Sequence, residues 1–287
     1  MTYEDLWRRL TSVYDAGEAK AIVRYVLDVG FGMSATDVYC GKVTQLTADE
    51  RNRLEEIMRR LACAEPVQYV LGQADFCGRT FRVASGVLIP RPETEELCAW
   101  ITEDRTEKKP HEKDCTDAAT TILDIGTGSG CIAVTLSLDI AGADVTAWDV
   151  SETALETARR NAIGLGAGVK TERQDALQPP DDTEKWDVIV SNPPYICRRE
   201  SDTMERNVLE HEPHTALFVP DDNPLMFYRA IAGYARKALR PGGGLFFEIN
   251  PIYATDMLTM LRDNGFSRIE TRKDSFGKER MMMARRE

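Results

Sequence analysis

From Tyr3 to about Leu61 apolar residues recur at intervals of three and four, as in Ala21, Ile22, Tyr25 and Val26 and again in Leu54, Ile57, Met58 and Leu61. That spacing marks one face of an α-helix. Gly30 and Gly32 interrupt the pattern, and Thr47-Ala48-Asp49-Glu50 has the form of a capping box that opens a new helix. A small helical domain over residues 1–65 is expected. From Gln68 to Ile89 the period shortens towards two, with Phe76, Phe81, Val83, Val87 and Leu88 set among glycines. This predicts a short β-hairpin linking two domains across residues 66–90. Pro90-Arg91-Pro92 ends it. Glu93 to Thr102 reads as a helix, and Glu103 to Ala119, charged and poor in apolar side chains, as a surface loop.

Beyond Thr121 strands and helices alternate. Ile122-Leu123-Asp124-Ile125 is a buried strand, Cys131 to Leu138 a helix, Val145-Thr146-Ala147-Trp148 a strand and Thr153 to Ile163 a helix. Val188-Ile189-Val190, Leu245 to Ile249, and a pair near Ser267 to Glu270 and Arg280 to Ala284 complete the strands. Such alternation predicts an α/β domain over residues 91–287, with a mostly parallel sheet covered by helices on both faces.

The 287 residues suffice for one large domain or two modest ones. A composition of 43% apolar and 29% charged residues suits a folded soluble protein. The net charge of -11 should on balance repel polyanions such as duplex DNA, so no direct nucleic-acid binding is expected. Arg24 and Asp28 break the early apolar stretches, so neither a signal peptide nor a membrane span is expected, and the location should be cytoplasmic. The seven cysteines are scattered and never spaced as Cys-x-x-Cys, which argues against disulfides and against zinc. His211 and His214 are separated by Pro213, which breaks the helical spacing that would present both to one metal, and none is expected.

Candidate chemistry begins at Asp124-Ile125-Gly126-Thr127-Gly128-Ser129-Gly130, where a strand turns into a helix. Glycines there allow positive φ and a close approach of backbone to ligand. A dinucleotide fingerprint would place its third glycine at 131, but that residue is Cys and the glycine stands at 130. The spacing favours S-adenosylmethionine. Asp149, at the end of the next strand, is placed to accept hydrogen bonds from both ribose hydroxyls of a nucleoside, and Asp175, after the third strand, from an adenine amino group. Asp124 is a candidate neighbour for the amino group of the methionine portion. Singly, such residues are more often tight turns and helix caps. Three features at matching strand ends point to a nucleoside cofactor, because open parallel sheets bind ligands at those ends.

Asn192-Pro193-Pro194-Tyr195 leaves the strand Val188 to Ser191 on the same side as the glycine loop. Two successive prolines remove two backbone donors, so the loop offers carbonyl oxygens to a ligand. An amide nitrogen is a poor nucleophile because its lone pair is delocalised, and the exocyclic nitrogen of adenine shares that defect. If the Asn192 side-chain oxygen and the Pro193 carbonyl each accept one of its hydrogens, the lone pair is held towards a sulfonium methyl. Both acceptors strengthen as positive charge develops on nitrogen. Tyr195 is expected to lay its ring against the planar group and the cationic donor. The motif pair alone leaves a protein amide and a nucleobase nearly tied.

The chain resembles the release factor glutamine methyltransferases, the PrmC or HemK group, across nearly its whole length. The likeness rests on Pro66-Val67-Gln68-Tyr69-Val70-Leu71-Gly72, Leu88-Ile89-Pro90-Arg91-Pro92-Glu93-Thr94-Glu95, the glycine loop, Ser191 to Ile196, Glu212-Pro213 with Ala216-Leu217, and Pro241-Gly242-Gly243. Asn-Pro-Pro-Tyr is shared with DNA adenine methyltransferases, whereas Ile89 to Glu95 is much more specific. The resemblance implies methyl transfer from S-adenosylmethionine, with S-adenosylhomocysteine as product, to the glutamine of the Gly-Gly-Gln motif in peptide chain release factors. It implies a helical amino-terminal bundle, a short hairpin and a Rossmann-like class I methyltransferase domain. Carried over by position, Gly126, Thr127, Gly128, Ser129, Gly130, Asp149, Asp175, Ala176 and Asn192 hold the cofactor, Asn192 to Tyr195 bind the glutamine, and Arg91 and Glu93 line or support the substrate entrance. The sequence departs from the usual pattern at Gln174-Asp175-Ala176 and at Glu248-Ile249-Asn250. The rivals are an enzyme that methylates amino groups of nucleic-acid bases after flipping them out, and a non-catalytic nucleoside-binding module. The acidic balance and helical amino terminus favour a protein substrate, and the intact Asn192 to Tyr195 motif favours catalysis.

Overall fold

A computed structural model describes residues 1–107 and 119–287, which fall into two compact units. The first comprises Met1–Gln73, Val83–Ser85 and Met204–Glu212. Its helices are α1 (Tyr3–Leu10), α2 (Ala16–Phe31), α3 (Ala35–Tyr39), α4 (Ala48–Leu61) and α5 (Val67–Leu71). Each of the first four starts where a short polar side chain satisfies otherwise unpaired N–H groups. The box expected at Thr47 is formed: Thr47 Oγ1 accepts from Glu50 N–H at 3.3 Å while Glu50 accepts from Thr47 N–H at 2.8 Å. Leu54, Ile57, Met58 and Leu61 are buried as expected. In α2 the buried stripe is Ala19, Val23, Val26 and Leu27, with Ala21 exposed. The apolar run there is longer than one face, so periodicity alone places the stripe off-register. The segment Gln68 to Leu71, expected to open the hairpin, is instead the last part of α5, which Gly72 closes at φ 74°.

The second unit comprises Ala74–Arg82, Gly86–Thr203 and Pro213–Glu287. The hairpin is β1 (Gln73–Phe76) with β2 (Arg79–Arg82), shorter than its predicted span. Phe76 and Phe81 meet edge to face at 5.8 Å and are buried. Next comes α6 (Pro92–Glu107), which runs past Thr102 into the stretch expected to be a loop. Its charges have partners there: Glu103 takes Arg272 at 2.6 Å and Asp104 pairs with Arg285. The rest of that stretch, with Cys115, lies outside the described residues.

The remaining elements are β3 (Thr121–Ile125), α7 (Cys131–Asp139), β4 (Asp144–Asp149), α8 (Glu152–Leu165), β5 (Val169–Arg173), β6 (Trp186–Ser191), β7 (Ile196–Cys197), α9 (Arg206–His211), α10 (His214–Leu217), β8 (Phe218–Val219), α11 (Met226–Ala238), β9 (Leu239–Glu248), α12 (Ala254–Asp263), β10 (Phe266–Lys273) and β11 (Glu279–Arg286). Of these, α9 belongs to the first unit. The main sheet has the order β10-β11-β9-β6-β3-β4-β5. Its ladders from β9 to β5 are parallel, and β11 is antiparallel to both of its neighbours. Alternate residues enter opposite cores. Ile122, Val188, Val190 and Phe246 pack on one face, and Leu123, Ile189, Leu245 and Phe247 on the other. Both faces are therefore covered, as an apolar parallel sheet requires. Among the described residues no helix is long and apolar enough to cross a membrane.

Gly130 joins the loop to α7 at φ 81°, and a Cβ there would stand 2.9 Å from the Ala158 Cβ of α8. Gly142 has φ 72° with open space around it. Gly130→Ala should therefore cost about 2–4 kcal/mol and Gly142→Ala about 1 kcal/mol in urea unfolding. Equal losses would show that the close approach of α7 and α8 is unimportant.

Candidate active site

β3 ends at Ile125, whose neighbours in the ladders are Trp148 of β4 and Ser191 of β6. The pairing continues beyond the strands. Gly126 and Thr127 both donate their N–H groups to the Trp148 carbonyl at 2.9 Å. Ser191 Oγ donates to the Ile125 carbonyl at 2.6 Å. The glycine loop and the Asn-Pro-Pro-Tyr segment are thus tied together at the carboxyl ends of two adjacent central strands. Gly126 and Gly128 take φ of 76° and 55°, and a Cβ on either would meet nothing within 4 Å. Their backbone is open to a ligand, in a conformation that other residues rarely adopt.

An open cleft lies at these strand ends. It brings together Gly126, Gly128, Asp149, Asp175, Ala176, Asn192, Pro193 and Pro194. Asp149 Oδ2 accepts from Gly128 N–H and its Oδ1 from Ser151 N–H, both at 2.9 Å. Burial pushes its pKa up, against the pull of these N–H groups. Asp175 Oδ1 accepts from Leu177 N–H at 2.8 Å, which fixes the turn after β5. Apolar walls come from Val87, Leu88, Val150, Phe227 and Ile231. In the sequence Val87 and Leu88 read as part of a hairpin, with Leu88 also opening the segment that carries the resemblance, and nothing local marks Phe227 or Ile231, which α11 supplies from far along the chain.

Several expected positions lie behind the cleft rather than on its wall. Asp124 is fully buried. Its Oδ2 accepts from Thr127 Oγ1 at 2.6 Å and from Ala133 N–H at 3.2 Å, so it braces the turn. Its Oδ1 has no hydrogen-bond partner among the described residues, and burial drives its pKa up to about 7. Thr127 therefore points inward, as does Ser129, whose Oγ is buried and whose carbonyl accepts from Asn161 Nδ2 at 2.8 Å. Gly130 is taken up by its packing on α8.

Tyr195 is a further correction. Its ring packs against the core on one face of the sheet and is not among the side chains lining the cleft. Its hydroxyl donates to Glu248 Oε1 at 3.0 Å. Burial and the Glu248 charge hold its pKa well above that of an ordinary phenol. The carboxylate at the end of β9, unseen as a site residue in the sequence, accepts from the hydroxyl and holds the ring against that core. Glu248 Oε2 accepts from Thr94 Oγ1 at 2.6 Å, and Thr94 Oγ1 in turn accepts from Asn192 Nδ2 at 3.3 Å. Arg91 and Glu93 also lie outside the cleft lining, close enough for Tyr195 to feel the Arg91 charge and Glu248 that of Glu93. Asn250 donates to the Tyr195 carbonyl at 3.3 Å and bonds Glu200, so it braces the motif from below.

The chain matches the family model described as PrmC N-terminal domain over residues 7–72 and that described as methyltransferase small domain over residues 112–215. It is 46% identical over 278 residues to the release factor glutamine methyltransferase of Bacteroides thetaiotaomicron, covering 96% of each chain. It belongs to the release factor glutamine methyltransferase family. A second such relative, from Flavobacterium psychrophilum, is 37% identical over 273 residues, covering 95% of this chain and 94% of that one. Among solved structures, the T. thermophilus 16S rRNA N2 G1207 methyltransferase (RsmC), in complex with AdoMet and guanosine, aligns with a TM-score of 0.53 at 19% identity. The alignment covers 75% of this chain and 50% of that one, a likeness of fold. This release factor glutamine methyltransferase family member has the class I methyltransferase fold.

The buried Asp124 gives the ligand-free protein a pH signature. Its folded pKa of about 7 exceeds the value near 4 of an unfolded aspartate, so between these limits the folded state holds more protons. Its contribution to stability is greatest at low pH and declines as pH rises through that window. Asp124→Asn should flatten the fall in unfolding free energy between about pH 4 and pH 7. An unchanged slope in urea titrations would remove Asp124 as its source.

Proposed function

We propose that this chain transfers a methyl group from S-adenosylmethionine to the side-chain amide nitrogen of the glutamine in the Gly-Gly-Gln motif of peptide chain release factors, leaving S-adenosylhomocysteine. The observation that carries the reading is the disposition of Asn192. Its Nδ2 is engaged by Thr94, so Oδ1 is the end left to accept a hydrogen bond from a ligand in the cleft. Family membership supports the choice of a release factor as partner.

The cleft fits the methyl donor. Gly126 and Gly128 leave the backbone clear, Asp149 and Asp175 offer carboxylates at the ends of β4 and β5, and Val87, Leu88 and Ile231 offer apolar walls. We assign ribose recognition to Asp149 and adenine recognition to the Asp175-Ala176 turn. The donor, when bound, supplies an electrophilic methyl group on a sulfonium.

The chain's own residues deal with the weak nucleophile. Asn192 Oδ1 and the Pro193 carbonyl accept the two hydrogens of the glutamine amide and hold its plane, so that the lone pair faces the methyl group. As nitrogen gains positive charge its hydrogens become more acidic, and both acceptors bind them more strongly. The excess proton then passes to solvent, and no strong base is required. Pro194 stiffens the loop, and Tyr195 anchors it from behind through Glu248. Arg91 and Glu93 flank the segment that supplies Thr94, and we assign them to support of the incoming substrate loop.

Purified protein given labelled S-adenosylmethionine should label a release factor, and a release factor whose motif glutamine is alanine should take up none. Asn192→Ala should keep cofactor affinity within about threefold while kcat falls about 100-fold, since the lost contact acts mainly in the transition state. Label on DNA with the release factor unlabelled would overturn the assignment.

A further inference from the structure

We infer that Thr94 and Glu248 set which way round the Asn192 carboxamide sits, and are positioning residues for the reaction proposed above, on which this inference rests. The two ends of a carboxamide have nearly the same shape but opposite hydrogen-bonding character. Packing alone therefore does not choose between them. If Nδ2 faced the substrate amide, two N–H groups would oppose each other and the acceptor would be lost.

The choice is made by a directed chain of hydrogen bonds. It begins at Glu248, 2% exposed at the end of β9. Tyr195 donates to its Oε1 and Thr94 to its Oε2, while Tyr228 donates to its main-chain carbonyl at 2.9 Å and so does not compete. Two hydroxyl hydrogens directed at its two oxygens favour the ionised form of Glu248 against the opposing effect of burial, and an ionised carboxyl group has no hydrogen to give. Thr94 must therefore commit its single hydroxyl hydrogen to Glu248, at 2.6 Å. What remains on Thr94 Oγ1 is lone pairs, and these can only accept. The 3.3 Å contact with Asn192 is thus satisfied by Nδ2, and Oδ1 is left for the ligand. Thr94 is itself 2% exposed, so solvent is poorly placed to reverse the order.

This network reaches across the unit. Thr94 lies in the first turn of α6, Glu248 ends β9 and Asn192 follows β6. The segment Ile89 to Glu95 thereby acquires a chemical role, because it delivers one hydroxyl to the back of the acceptor loop.

The test compares Thr94→Val, which keeps the shape and removes the hydroxyl, with Thr94→Ser, which keeps the hydroxyl. Wild-type methylation of a release factor is the control, and its failure would count against the proposed function and not against the relay. With that control positive, Thr94→Val should lose about 10- to 100-fold in kcat, with KM for the release factor and calorimetric affinity for S-adenosylmethionine changed less than about threefold. Thr94→Ser should stay within about threefold of wild type in all three. Wild-type kcat in Thr94→Val, or equal impairment in Thr94→Ser, would overturn the relay. A measurement on the wild-type protein serves if Thr94→Val does not fold. By NMR the Asn192 Nδ2 hydrogens should exchange with solvent at least about tenfold more slowly than those of exposed Asn52. Equally fast exchange would overturn the inference.

Discussion

The parallel pairing of β3 with β4 on one side and β6 on the other is the constraint on which both halves of the site depend. It brings Ile125, Trp148 and Ser191 level, and the bonds from Gly126, Thr127 and Ser191 extend that register past the last strand residues. The glycine loop therefore begins beside the carboxyl end of β4, where Asp149 closes on Gly128, and the Asn-Pro-Pro-Tyr segment begins one strand over. No loop has to find its position independently. A slip of one residue in either ladder would exchange the faces of alternating side chains, sending Leu123 and Ile189 to the core now filled by Ile122 and Val190. The buried alternation that stabilises the sheet is thereby also what fixes the site's geometry.

Two buried carboxyl groups support these strand ends, and they do so differently. Asp124 sits under the glycine loop with one oxygen paired to Thr127 and Ala133 and the other without a partner among the described residues. Its raised pKa is the expected result of burial exceeding two hydrogen bonds. Glu248 sits behind the Asn-Pro-Pro-Tyr segment with a hydroxyl on each oxygen. Burial raises its pKa too, but Thr94 and Tyr195 both favour the charged form. One acid braces a turn that a nucleoside would approach, and the other imposes a direction on a hydrogen-bond chain.

Much of the architecture was legible in the sequence because its signals are local. The alternation of buried strands and helices, the Thr47 box and the stripe Leu54 to Leu61 need only neighbours along the chain. The misplacements share a different cause, which is that distant partners decided them. The charges of Glu103 and Asp104 suggest solvent until Arg272 and Arg285 arrive from the last two strands, and then they belong to a helix. Tyr195 reads as a ring for stacking until Glu248, reached through the sheet, captures its hydroxyl. Likewise the glycine loop showed where backbone could approach a ligand, but not that Thr127 and Ser129 face the interior. Residue type and spacing report backbone freedom well and side-chain direction poorly.

The same distinction gives the segment Ile89 to Glu95 its place behind the Asn-Pro-Pro-Tyr motif, through the contact of Thr94 with Asn192. Asn-Pro-Pro-Tyr describes only an acceptor-rich turn, which suits any planar nitrogen carrying two hydrogens. Two prolines fix the backbone carbonyls, yet they leave the Asn192 carboxamide free to turn end for end. A site that needs this side chain as an acceptor must specify its orientation from elsewhere, with a donor-poor partner that is itself constrained. Thr94, held between a helix start and a buried carboxyl group, meets that requirement. Substituting it would disturb neither the turn nor the glycine loop, but it would leave the acceptor undirected.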